Sequence, residues 1–310
     1  MRLNFVQRVG TICPALLIGA ALGGGSLPTY AFDLDLTPDS TRILSDPAYL
    51  PPARQFVGIS SYSFSTDNGQ LTDSLGITRY RFHSDGHGPA QVFLYGLTQD
   101  LTIALTATSV RSTTHYDFSS GASSTHNTSF LEPQVGITYR WLDQENHPFN
   151  LDTSALAPGG LIVALSRQMQ DFTVSASSGA YLRKGDNGFD EVRGVDVSTS
   201  QFWGYFAGLQ TQTRLTPDLS LDLGAQYISA NVDAVHASIG NSPFAINYPH
   251  RINLGSAINY HLIQNKWVAR VAYNYVFLST RRDTYADPAS DLQSTARELR
   301  SIDISMIYSF

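Results

Sequence analysis

The sequence predicts an all-β fold, a transmembrane antiparallel up-and-down β-barrel of about twelve strands. Three observations carry that prediction. Segment after segment alternates apolar and polar residues with a period of two. The connectors alternate between short turns and long polar stretches. The 310-residue chain ends on an aromatic, inside its last alternating segment.

The alternation is clearest toward the C-terminus. From Ser301 to Phe310 one face carries Ile302, Ile304, Met306, Tyr308 and Phe310, and the other Ser301, Asp303, Ser305, Ile307 and Ser309. Trp267 to Phe277 sets Trp267, Ala269, Val271, Tyr273, Tyr275 and Phe277 against Arg270, Ala272 and Asn274. Leu219 to Tyr227 sets leucines 219, 221 and 223 against Ser220, Asp222, Gly224 and Gln226. Successive side chains of a strand point to opposite faces, so each segment has one apolar and one polar or small face. Twelve such segments run over 55–65, 90–98, 101–112, 129–142, 148–157, 160–168, 171–183, 199–215, 219–236, 250–262, 267–280 and 297–310. An even number places both ends of the barrel on the periplasmic side. Residues 70–84 read either as an excursion of the first outer loop or as part of a strand.

The connectors follow the rhythm of a membrane barrel. Short turns at Thr98-Gln99-Asp100, Met169-Gln170-Asp171, Thr216-Pro217-Asp218 and Ile263-Gln264-Asn265-Lys266 alternate with long polar stretches near 112–127, 184–198, 237–249 and 282–296. Short periplasmic turns and long outer loops are the pattern of outer-membrane barrels. Aromatics at segment ends, such as Tyr139, Trp141, Tyr260, Trp267, Tyr308 and Phe310, fit the girdles at the two bilayer interfaces. A soluble sandwich shares the alternation, but the connector rhythm and the aromatic ends favour the membrane.

Composition agrees. Charged residues make up 15% of the chain, against about 25% in ordinary soluble domains. After the first thirty residues no apolar run reaches the ~18 residues of a membrane helix.

The N-terminus predicts export. Arg2 and Arg8 flank a short basic region, followed by the apolar core Ile12–Leu22 and the small-residue pattern Thr29-Tyr30-Ala31. That is the layout of a secretory signal peptide over 1–31, cleaved after Ala31. Residues 32–54, with Pro38, Pro47, Pro51 and Pro52, read as an irregular periplasmic leader, and 55–310 as the barrel. Cleavage removes the single cysteine, Cys13, so no disulfide is expected. It also removes two arginines and no acid, taking the formal charge from −6 to −8. An acidic chain argues against nucleic acid as a partner.

Two short matches tie this pattern to known proteins. The terminal Tyr308-Ser309-Phe310, with alternating hydrophobics before it, resembles the C-terminal assembly signal of Gram-negative outer-membrane barrels. The resemblance implies recognition by the outer-membrane insertion machinery. Phe93-Leu94-Tyr95-Gly96-Leu97-Thr98-Gln99-Asp100-Leu101-Thr102 resembles a hairpin that recurs in outer-membrane transporters, including those grouped with aromatic-compound degradation pathways. Together they imply a porin-like or transporter-like barrel in the outer membrane of a Gram-negative bacterium.

With the apolar faces turned to lipid, the residues expected to line the lumen include Glu132, Arg140, Arg214, Asp222, Arg251, Arg270 and Asp303. Charges of both signs inside a barrel either fill it as ion pairs or line a wet channel and set its selectivity; Arg270 and Asp303, on adjacent strands, are candidates for such a pair. His83-Ser84-Asp85-Gly86-His87 carries metal-ligating types close together, but Gly86 and Gly88-Pro89 read more simply as a turn. No local signature of a nucleophilic triad, phosphate loop or dinucleotide site is present. The expected function is passive diffusion of small solutes, without enzymatic activity or cofactor. The alternatives are an outer-membrane lipid or lipopolysaccharide hydrolase and a non-transporting surface barrel.

Overall fold

The computed structural model describes residues 44–46, 49–73, 75–157, 159–183, 187–190, 195–199, 202–230, 235–239, 242–247, 250–263, 266–278, 281–285 and 292–310. The signal peptide expected over 1–31 lies outside the described residues.

The alternating segments are antiparallel strands. The first seven are β1 (Phe56–Asp73), β2 (Thr78–Gly96), β3 (Leu101–Phe118), β4 (Ser123–Leu142), β5 (Asn150–Ala157), β6 (Gly160–Met169) and β7 (Phe172–Arg183). Next come β8 (Asn187–Asp190), β9 (Val195–Thr199), β10 (Phe202–Thr216), β11 (Leu219–Ala230), β12 (Val235–Ile239) and β13 (Ser242–Asn247). The last are β14 (Arg251–Ile263), β15 (Trp267–Leu278), β16 (Arg281–Tyr285) and β17 (Leu292–Ser309). Twelve of these are the staves of a closed barrel, ordered β1 to β7, then β10, β11, β14, β15 and β17. The last stave returns to the first, with Val57 opposite Ser309 and Ser63 opposite Asp303. Phe310 N–H donates to the Phe56 carbonyl at 2.9 Å and Phe56 N–H to the Phe310 carbonyl at 3.3 Å, so the seam is bonded to its end. Closure leaves no sheet edge, which a strand in lipid cannot tolerate.

The short segments β8, β9, β12, β13 and β16 pair with one another and with β17 above the outer ends of the staves. The long polar stretches are therefore strand-bearing rather than irregular. The same holds for residues 70–84, which form the top of a tall β1–β2 hairpin, and for 112–127, where β3 and β4 are joined by a turn over 119–122. His83 to His87, read from sequence as a turn, lies within β2. Gly88, just after it, serves packing: a Cβ there would sit 1.9 Å from the Ser109 carbonyl oxygen.

Two short staves, β5 and β6, meet near Gly159. The wall is thus tall over β1–β4 and lower over β5–β6.

Two surfaces follow from the alternation. Outward side chains such as Leu209, Leu223, Ile258, Val271 and Ile304 are 52–55% exposed and form the lipid-facing band. Inward positions are largely polar and buried. Above the membrane the faces reverse, since the outside now meets water. Arg81, His83, Asp85, His87 and Arg111 point outward and are exposed, while Phe82 and Tyr116 turn inward and are buried.

Candidate functional site

The interior of the barrel is where the expected charges meet. Asn150, Asp152 and Ser154 alternate inward on β5, and Thr138 and Arg140 on β4, because their outward neighbours are the residues that face lipid. Arg140 and Asp152 stand opposite in the ladder. They form a two-pronged ion pair, Nε to Oδ1 at 2.8 Å and Nη2 to Oδ2 at 2.9 Å. Both side chains are at most 2% exposed. Fork-to-fork pairing satisfies both groups and fixes their orientation.

Arg270 does not pair with Asp303. Its guanidinium donates to Asp222 on β11 and, at 2.8 Å, to the Asn259 side-chain oxygen on the intervening strand β14. Register explains the choice. Asn259 is opposite both Arg270 and Ser220, and Asp222 is one inward position above Ser220, so a long side chain climbing from β15 arrives at Asp222. Asn259 Nδ2 completes the set with a 2.9 Å bond to Asp222 Oδ1. Asp303 instead accepts from Ser63 Oγ on β1 and from Asn274 Nδ2 on β15, the latter at 2.7 Å.

The remaining expected residues fall in different places. Arg251 is buried at the outer end of β14, opposite Ile228. Arg214 sits at the periplasmic rim, where Nη2 donates to the Pro217 carbonyl of the β10–β11 turn at 3.1 Å. Glu132 stands opposite Thr108 in the β3–β4 ladder. Its side chain lies outside the described residues.

The sequence reading missed the most consequential feature. Part of the 32–54 leader is inside the barrel. Leu44, Ser45, Asp46 and Tyr49 are buried to 2% exposure or less. Leu44 and Tyr49 pack against Val57, Ile59, Ala90, Val92, Leu94, Ala104, Val268 and Ile307, an apolar patch on the inner wall near the periplasmic end. On the opposite wall, Thr173 Oγ1 donates to Asp46 Oδ2 at 2.6 Å. Gln212 Nε2 donates to the Ser45 carbonyl at 2.9 Å and to Asp222 Oδ1 at 2.9 Å. The segment therefore crosses the lumen, with apolar side chains on one wall and hydrogen bonds on the other. It enters over the rim through a turn at Arg54, whose φ of 69° lies in the left-handed region. There Arg54 N–H donates to the Gly96 carbonyl at 2.7 Å. Gly96 is required at this crossing, because a Cβ would meet the Pro52 carbonyl oxygen at 2.1 Å.

The histidines gather no catalytic set among the described residues. His83 is held by Asn68 at 2.5 Å and Asp85 at 3.0 Å, and His115 by Thr125 at 2.9 Å, all on the exposed outer surface. His261 is buried at the periplasmic end of β14.

Comparison with solved structures places the architecture. The COG4313 outer membrane channel from Pseudomonas putida F1 is similar over 89% of this chain and 100% of its own, with TM-score 0.56 and 13% identity. The transport unit of the autotransporter AIDA-I from Escherichia coli matches over 97% of this chain and 98% of its own, with TM-score 0.56 and 10% identity. The fold is that of a Gram-negative outer-membrane barrel. A third likeness, at TM-score 0.50 and 14% identity, is to the translocator domain of the autotransporter NalP from Neisseria meningitidis, covering 99% of this chain and 100% of that one. These proteins are named for different tasks, so the likeness carries the barrel fold and not a cargo. No protein-family profile and no curated sequence matches the chain.

Proposed function

We propose that the barrel is a channel for small solutes, closed on its periplasmic side by Leu44, Ser45, Asp46 and Tyr49. The observation that carries this reading is the way the leader is held. A structural filler would be expected to bury apolar surface on all sides. Here one side is held by polar contacts, among them hydrogen bonds from Thr173 to Asp46 and from Gln212 to Ser45. Such bonds are worth about 1–3 kcal/mol net each, less than burying an apolar face all round would supply. Above the leader the inner wall is polar, carried by Ser175, Gln210, Asn253 and Asn274, as a path for hydrophilic solutes needs.

Expected roles follow for the charges. Arg140–Asp152 and Arg270–Asp222 act as internal ties that keep the wall in register, and Asp303, bound by neutral groups, sets ion preference. Tyr308 and Phe310 serve assembly: the terminal strand presents them to the insertion machinery after signal-peptide removal at Ala31.

The test is uptake of uncharged solutes of graded size into vesicles carrying the refolded barrel. Size-dependent uptake, faster in a Gln212→Leu variant, is expected. Uptake no faster than in protein-free vesicles, for both proteins, would refute the channel.

A further inference from the structure

The outer wall carries a basic pair at the level where its lipid-facing band ends. His87 on β2 stands directly opposite Arg111 on β3, and both point outward and are exposed. Phe64 on β1 is opposite His87, and Ile302 on β17 is opposite Phe64. Phe64 is 51% exposed and Ile302 46%, as apolar side chains that meet lipid should be. One outward position lower, Tyr62 and Leu131 are exposed as well. One outward position higher, the row reads Arg300, Thr66, Asp85, Thr113 and Asn127, all polar. The pair therefore stands at the boundary between acyl chains and headgroups, on the outer side of the membrane.

Both cationic side chains keep donors to spare. The Tyr62 phenol oxygen lies 2.6 Å from His87 Nδ1 and the two rings stack, which fixes the imidazole. Its Nε2 has no partner among the described residues, and neither has the Arg111 guanidinium. Two outward arginines farther up are engaged, Arg79 with Asp73 and Arg300 with Glu298, each at 2.7 Å. The acid diagonal to Arg111 in the β2–β3 ladder, Asp85, is held by His83 at 3.0 Å. Ser129, opposite Arg111 on β4, adds an exposed hydroxyl. A guanidinium fork matches the oxygens of a phosphate, and an arginine stem can lie on apolar surface while its head stays at the interface. In open water such a contact is weak. A lipid whose chains rest on the apolar band brings its phosphate to the height of the guanidinium, which a free anion does not.

We infer that His87 and Arg111 form a binding site for the phosphate of an outer-leaflet lipid headgroup. The acyl chains of that lipid lie on Tyr62, Phe64, Ile302 and Leu131. The inference rests on the barrel fold and its orientation in the membrane, and is independent of conduction.

Native mass spectrometry of the mature barrel, released from uncharged detergent micelles, is the experiment. The probes are lipid A, lipid A stripped of its phosphates, and inorganic phosphate. The first lipid A bound should be held at least about tenfold more tightly than the phosphate-free lipid, and equimolar inorganic phosphate should not displace it. Arg111→Gln should cut that affinity about tenfold, and His87→Gln by a smaller factor. Arg81→Gln, three outward positions above His87 on β2, should leave it unchanged. The melting temperature of Arg111→Gln should be retained; if that variant fails to fold, His87→Gln carries the test. Lipid A binding that is absent, or no tighter than that of the phosphate-free lipid, overturns the site. So does displacement by inorganic phosphate, an unchanged affinity in the folded variant, or a loss in Arg81→Gln as large as in Arg111→Gln.

Discussion

Gln212 joins Ser45 to the barrel's internal charge network. One amide nitrogen donates to the Ser45 carbonyl of the leader and to Asp222, which in turn holds Arg270. The residue that fixes the leader is thus bound to the wall through the same carboxylate that fixes β15 to β11.

From this relationship comes the first prediction. Gln212→Leu should release that edge of the leader and cost about 1–3 kcal/mol, since it removes three buried bonds, two to Ser45 and one to Asp222. Thr173→Val, which removes the one bond to Asp46, should cost about 1–2 kcal/mol. Both should raise the open fraction in single-channel records, Gln212→Leu more. Refolding titrations in lipid vesicles give the energies. A stability loss without any change in open fraction would separate the leader from gating.

Neutralising charges should divide by partner. Asp152→Asn strands a buried guanidinium, and Arg270→Gln a buried carboxylate. Breaking a buried pair costs about 3–5 kcal/mol, so both should mainly destabilise. Asp303→Asn keeps hydrogen-bonding groups for Ser63 and Asn274 and should be mild in stability. In a conducting barrel it should move the reversal potential toward anions. Melting and reversal potentials in a salt gradient, on the same three proteins, check the division. A selectivity shift in Arg270→Gln without destabilisation would contradict it.

The tall β1–β2 hairpin should come undone in acid. Asp73, at its tip and outside the membrane, accepts from Ile77 N–H at 2.8 Å and Leu75 N–H at 3.0 Å, with Arg79 at 2.7 Å. These bonds, the one from Ile77 foremost, hold its pKa below the ordinary 3.8. A depressed folded pKa means that its contribution is complete above the unfolded value and is lost as pH falls through the folded one. Proteolysis between Leu75 and Ile77 by an acid-active protease should therefore quicken only at pH values below the ordinary carboxylate range. Asp73→Asn should show quick cleavage already at neutral pH. Equal cleavage of both proteins throughout would show that the carboxylate does not order the tip.

The two C-terminal aromatics should differ. Tyr308 accepts from Gln91 Nε2 at 2.9 Å and packs over Gly58, whereas Phe310 is 72% exposed. Tyr308→Ala should lower the stability of the refolded barrel. Phe310→Asp should leave that stability nearly unchanged while cutting the amount found in outer membranes. Wild-type membrane levels for Phe310→Asp would remove the assembly role.

The staves were legible because each has a lipid face and a polar face. Val271 against Ala272 and Leu223 against Gly224 differ as the bilayer requires. Residues 70–84 were not, for a physical reason: above the membrane the rule inverts, and Phe82 turns in while His83 turns out. Asp152 was findable by continuing the period from Asn150. The choice of Asp222 over Asp303 by Arg270 was not, because it depends on register across two ladders. The leader left a sign in Val92-Phe93-Leu94-Tyr95, apolar on both faces. Lipid accounts for Phe93 and Tyr95, while Val92 and Leu94 are apolar because Leu44 and Tyr49 pack against the same inner patch.

The central claim, a solute channel closed by its own leader, is tested most directly by planar-bilayer current. The intact mature barrel is to be compared with a variant lacking residues 32–50. The variant is predicted to carry a steady current of larger unit conductance, the intact barrel only brief openings. Equal currents from the two proteins, or none from the folded variant, would contradict the claim.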